Sequence, residues 1–445
     1  MKKLVVIGGV AAGMSAASKL KRLDPEYEIT VFEKGKHVSY GACGLPYYVS
    51  GENKDYTKMI ARTEEQFEAS GISVHTKHEI VKVIPEEKKL LVKDLAKNKL
   101  FIETYGKLMI STGAFPIVPP LANNGLKNIF VLKTLEDGIA LQKALSDPSV
   151  QNAVIVGGGY IGLEAAEALL ALNKQVRLIE RGERLLKSFD RELTEKVESH
   201  LIDKGVRIHL KESVQGFMGT EKVEGIATHK GSYEADLVIL ALGAKPATGF
   251  LEGSGIQLAA NGAVIIDRQM QTNVEDVYAA GDCAEVYHRV LEKNAYIPLG
   301  TNANKCGRLA GANMAGIRQT YAGTLGSAAI KVCDLELGRT GLSEEEAKRH
   351  GFEFGTVFVE SKDRPAYYPN QTELWVKLIV EKKSRKLLGA QILGKKNAVL
   401  RIDAFAVAIH QGMTVDELGL LDLAYAPPFA GVWDAIHIAC NAYKE

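Results

Sequence analysis

AVIVGGGYIGLEAAEALLALNKQVRLIER, residues 153–181, decides the fold: an apolar strand, a glycine turn, a helix and a second strand follow without a break. Gly157, Gly159 and Gly162 complete G-x-G-x-x-G. Glu180 ends the second strand 23 residues after Gly157, about the spacing at which an acid meets a nucleotide's ribose. Glycines are needed because the backbone must come close to a pyrophosphate, which then sits on the positive end of the helix. The stretch predicts a dinucleotide-binding βαβ unit.

The unit occurs twice. LVVIGGVAAGMSAASKLKRL (4–23) and the strand EITVFEK (28–34) repeat it, with Gly8, Gly9, Ala12 and Gly13 in the turn and Glu33 25 residues after Gly8, beside Lys34. Val10 stands where the middle glycine would be. Each unit is followed by an apolar strand running into a similar turn, LMISTGAFP (108–116) with Thr112 and Gly113, and LVILALGAKP (237–246) with Gly243. Two such units imply two nucleotides. A third strand signal ends at Gly281-Asp282, which after two nucleotide units suits a carboxylate gripping a flavin's ribityl chain.

The remainder of the chain is consistent with this. Its 445 residues are enough for two or three domains, with 46% hydrophobic and 24% charged residues, as in ordinary folded proteins. Lys plus Arg is 55 against 54 Asp plus Glu, a net +1, so no global field draws in nucleic acid or an anionic membrane. No apolar run reaches the length of a membrane span, and a cytoplasmic location is expected. The five cysteines form no CxxC and no His/Cys cluster, which argues against a disulfide framework and a metal site. From about residue 325, strands surround one helix, the last two joined by EKKSRK (381–386), and helices are predicted over 398–412 and 430–443.

In this order the motifs resemble the FAD/NAD(P)-linked disulfide oxidoreductases over essentially the whole chain. The resemblance implies an α/β protein with two Rossmann-like domains and an α+β dimerisation domain. FAD would be held by 1–120 and 245–323, NADH or NADPH by 121–244, and a homodimer would be built through 324–445. Cys43, in SYGACGLPYYVSG (39–51), has no second thiol five places before or after it. That is similar to the single-cysteine branch: coenzyme A disulfide reductases, NAD(P)H persulfide and polysulfide reductases, and NADH oxidases. The oxidases typically carry a histidine in the first glycine loop, and residues 8–13 contain none. An NADH oxidase reducing dioxygen to peroxide or water is therefore the alternative, and coenzyme A disulfide reductase the main expectation.

The resemblance also implies roles. Cys43, at a turn opening a helix against the flavin, would attack a coenzyme A disulfide and form a mixed disulfide. Tyr425 and Tyr367 would reach the site from the partner subunit to hydrogen-bond the departing thiolate or donate a proton to it, with Tyr368 open as a substitute for Tyr367. Tyr160 would be an aromatic lid and Glu164 would orient the nicotinamide. Glu180 would favour NADH, an effect blurred by Arg177, Arg181 and Arg184. Ser15, Lys19 and Arg22 share one helix face suited to coenzyme A phosphates; Ser39, Ala42 and Asn302 are further substrate candidates.

Overall fold

The computed structural model describes residues 2–122 and 125–444. Leu4–Ile7 are buried and uninterrupted by polar residues, as a parallel strand covered on both faces requires. The strand Lys3–Ile7 lies between Glu28–Phe32 and Lys107–Ile110 in a five-stranded parallel sheet that continues to Ser73–His75 on one side and Val277–Ala279 on the other. The second sheet repeats this arrangement. Asn152–Val156 lies between Gln175–Ile179 and Leu237–Leu240, with Arg207–His209 and Ile129–Phe130 at the edges.

The chain passes between the two units through one short antiparallel pair, Ala114–Pro116 on Ala244–Pro246. Both strands follow a glycine at positive φ, Gly113 (70°) and Gly243 (95°), a conformation that L side chains seldom adopt. This second crossing lets Val277–Ala279 rejoin the first sheet beside Lys107–Ile110. It also brings the helix Gly300–Met314 against the first glycine-turn helix, Ala11–Leu23. Their contact is made of small residues: a Cβ on Gly307 would lie 2.2 Å from Ala12 O, and one on Gly311 2.5 Å from Ala16 O.

Residues 328–394 form a five-stranded antiparallel sheet, ordered Ala328–Val332, Leu335–Gly341, Leu387–Gly394, Glu373–Glu381, Phe354–Lys362. The expected hairpin at EKKSRK joins its last two strands in sequence. Phe405 and Ile402 of the helix Ala398–Gln411, and Ile436 and Ala439 of Ala435–Ala442, join its core. The last helix starts five residues later than the sequence suggested. Pro427 and Pro428 have no N–H to donate, and Asp434 caps the helix by accepting from Ile436 N at 3.0 Å. Leu400, Val407, Leu420, Phe429, Val432 and Trp433 leave an apolar face exposed on this unit. Among the described residues no helix is long and apolar enough to cross a membrane.

Candidate active site

The two glycine turns match almost atom for atom. Cβ atoms on Gly8 and Gly157 would each lie 2.3 Å from a carbonyl of the following strand's end, Ser111 O and Ala241 O. Those on Gly13 and Gly162 would lie 2.0 Å from the carbonyls of Gly8 and Gly157. Any side chain there would push helix and strand apart. Gly159 meets nothing within 4 Å, so its bare backbone faces open space, where Val10 stands in the first unit.

Most helices of this chain with a Ser, Thr or Asp at their start use it to cap their N-termini, as Thr63, Thr134, Ser343 and Asp434 do. The helices at Ala11 and Tyr160 have no side-chain cap and no acid in the first turn. Their N–H groups are left for an anion. Each unit's acid closes onto its own turn: Glu33 accepts from Gly9 N and Gly35 N, both at 2.7 Å. Glu180 accepts from Gly158 N (2.9 Å) and Gly182 N (2.7 Å). Burial raises the Glu33 carboxyl, and the Gly9 and Gly35 bonds pull it back. These cradles fit FAD in the first unit and a nicotinamide dinucleotide in the second.

Other candidates gather at the first cradle. A Cβ on Gly281 (φ 89°) would lie 3.2 Å from Ala12 Cβ, and Asp282 pairs with Lys133 at 2.9 Å. Lys34 pairs instead with Glu79 at 2.8 Å and lies over the Phe115 ring. In the second unit, Tyr160 is half-buried beside Phe189 and accepts a hydrogen bond from Ser188 Oγ at 3.2 Å. Lys187 Nζ lies 3.7 Å from Glu180. Arg184 is engaged by Glu345, and Arg177 by His209 and the Tyr233 ring. Of the three arginines named from sequence, Arg181 is the exposed one left beside Glu180, and Lys187 is the cation that the sequence reading missed.

Cys43 is in the short turn Ala42–Gly44 that leads into the helix Leu45–Val49. The segment is tied to the first cradle: Ser39, at φ 52°, donates its N–H to Gly9 O at 2.9 Å. Cys43 is the one exposed cysteine; Cys283, Cys306 and Cys440 are buried and Cys333 is half-buried. The protein's own groups disfavour the Cys43 thiolate. The helix is a single turn, and burial around the sulfur raises the thiol, followed by the charge of Glu164. Lys133 opposes this and Asp282 adds to it. Glu164 is itself raised to about 7, by burial first and Glu167 second. Glu164→Gln is expected to lower the pH at which Cys43 becomes alkylated, because an ionised carboxylate no longer opposes the thiolate. Iodoacetamide labelling across pH measures this; an unmoved profile would separate the two groups.

The substrate candidates divide. Ser15 Oγ donates to Asn304 Oδ1 at 3.0 Å, joining the two small-residue helices, with Lys19 half-buried and Arg22 exposed on the same face. Asn302 is not brought to them. It is buried, donating to Ile297 O and accepting from Tyr321 OH. Asn304, two residues on and so about 200° around the helix, is the one that faces Ser15. The tyrosines meet: Tyr367 OH and Tyr425 OH are 2.8 Å apart on the exposed surface. Tyr368 turns instead toward Arg364.

Two dinucleotide cradles on one chain, with a lone cysteine tied to the first, define a flavoprotein oxidoreductase linked to NAD(P)H. Residues 2–307 match the family described as pyridine nucleotide-disulphide oxidoreductase, and residues 327–436 match its dimerisation domain. The chain belongs to that family. It is 40% identical over 444 residues to the NAD(P)H coenzyme A polysulfide/persulfide reductase of Pyrococcus horikoshii, covering 100% of this chain and 98% of that one. It is 31% identical to an NADH oxidase of Enterococcus faecalis, covering 100% and 99%. The structure of an NAD-dependent persulfide reductase from A. fulgidus superposes with a TM-score of 0.95 at 36% identity, over 99% of this chain and 82% of that one.

Proposed function

We propose that the protein is a homodimeric, cytoplasmic enzyme that uses NAD(P)H to reduce coenzyme A disulfide, or coenzyme A persulfide or polysulfide, through Cys43. The observation that carries this is a single exposed thiol tied by Ser39 to the first glycine cradle. The match to sulfur reductases over the full chain supports it. The Cys43 thiolate attacks one sulfur of the substrate disulfide, forming a mixed disulfide and expelling the other half as a thiolate, which takes a proton. Two electrons and a proton, ultimately from NAD(P)H, then release the second thiol and restore Cys43. FAD, when bound, supplies the carrier between nicotinamide and sulfur.

Tyr425, hydrogen-bonded to Tyr367, is the proton donor for the departing thiol. Both are exposed on the apolar dimerisation unit, so each pair serves the partner subunit's Cys43. Ser15, Lys19, Arg22 and Asn304 receive the coenzyme A phosphates. Glu180 holds the adenosine ribose, and Lys187 and Arg181 make a 2′-phosphate tolerable, so both NADH and NADPH serve.

The test compares NADH-dependent thiol release from coenzyme A disulfide with oxygen consumption by the same enzyme. Two thiols per NADH with little oxygen uptake is the expected result. Oxygen uptake matching NADH oxidation, with no thiol released, would make the protein an NADH oxidase instead.

A further inference from the structure

The two tyrosines lie 58 residues apart on irregular loops, 363–372 and 421–434, yet their hydroxyls meet at 2.8 Å. Neither loop has a strand or helix to fix it. Arg401, on the helix Ala398–Gln411 and largely buried, is bonded to both. Its Nε donates to Asp434 Oδ2 at 2.9 Å and its Nη2 to Asp363 O at 2.9 Å and Phe429 O at 3.0 Å, while Nη1 holds its own helix at Asn397 O, 2.8 Å. Asp363 begins the Tyr367 loop, accepting from Thr372 N at 2.7 Å to close it. Phe429 and Asp434 end the Tyr425 loop. The other end is fixed by His437, which accepts from Asp434 N and donates to Leu421 O at 2.8 Å. A planar guanidinium is the one side chain with enough donors, in a rigid fork, to join its own helix and both loops at once.

We propose that Arg401 is a positioning residue for catalysis: it sets the Tyr367 and Tyr425 loops in register so that the pair is presented to the partner's Cys43. The inference rests on the reading of Tyr425 as proton donor. Lysine at this position keeps the charge but cannot make the fork.

Arg401→Lys is expected to remain an FAD-loaded dimer, to lower kcat by about the same factor as Tyr425→Phe, on the order of a hundredfold, and to leave the KM for NADH unchanged. In the Tyr425→Phe background it is expected to cost nothing more, because the group it positions has already gone. Asp434→Asn keeps the helix cap, weakens the fork, and is read in the same way. Full kcat in Arg401→Lys, or losses that multiply in the double variant, would overturn the proposal. So would loss of dimer or FAD in both variants, which would make Arg401 general support for the domain. If Tyr425→Phe alone has no effect, the proton-donor reading fails, whatever Arg401 does.

Discussion

Cys43→Ser is expected to bind FAD as the wild type does and to lose NAD(P)H-dependent thiol release by roughly a thousandfold or more. A serine hydroxyl is not ionised near neutral pH and cannot form the mixed disulfide. The other sulfurs are less open to a disulfide: Cys283, Cys306 and Cys440 are buried and Cys333 is half-buried. Burial pushes the Cys283 thiol up to about 11 and those of Cys306 and Cys440 up to about 12. Cys333 is raised as well, by burial and by Glu167. NADH oxidation with an artificial one-electron acceptor should survive in the variant, since both dinucleotide cradles are untouched. Thiol release at the wild-type rate would remove Cys43 from the reaction and the proposed chemistry with it.

The cradles were legible because their physics is local. A glycine at positive φ, another pressed on a carbonyl, and an acid closing the next strand all fall within 30 residues of sequence, so the motif and the geometry carry the same information. Val10 did not obscure this, because its position faces open space in the second unit, where Gly159 stands. Groups joined across long separations were less legible. Asn302 and Asn304 differ by two places in GTNANKCGR, and only the docking of this helix on Ala11–Leu23 decides which one faces Ser15. The tyrosines were named by resemblance alone, and only the folded chain shows that Tyr367, not Tyr368, meets Tyr425. Arg401 could not be found at all: its partners are at 363, 397, 429 and 434, and no spacing unites them. Lys187 escaped for a similar reason. It reaches Glu180 only because the chain folds back over Gly182, where an added Cβ would meet the lysine's Cε at 2.5 Å.

Gly307→Val is expected to produce a large structural effect, because it meets backbone rather than side chain. A Cβ at this position would lie 2.2 Å from Ala12 O and 2.7 Å from Ala12 Cα, backbone atoms that no rotamer change can move. The helices Ala11–Leu23 and Gly300–Met314 would have to separate, giving up close packing along Ala12, Ala16, Gly307 and Gly311, at a cost of about 3 kcal/mol or more. Ala12 is also in the first turn of the uncapped helix that we propose receives the FAD pyrophosphate, so the displacement would reach that site directly. The expected outcome is a lower Tm together with a flavin content well below one per chain, even for protein purified with added FAD. Gly300→Ala is the matched control: it begins the same helix and a Cβ there meets nothing within 4 Å, so stability and flavin content should stay at wild-type levels. A Gly307→Val protein that melts like the wild type with full flavin would show that the two helices are not held together by backbone contact, and the link between their packing and FAD binding would fall.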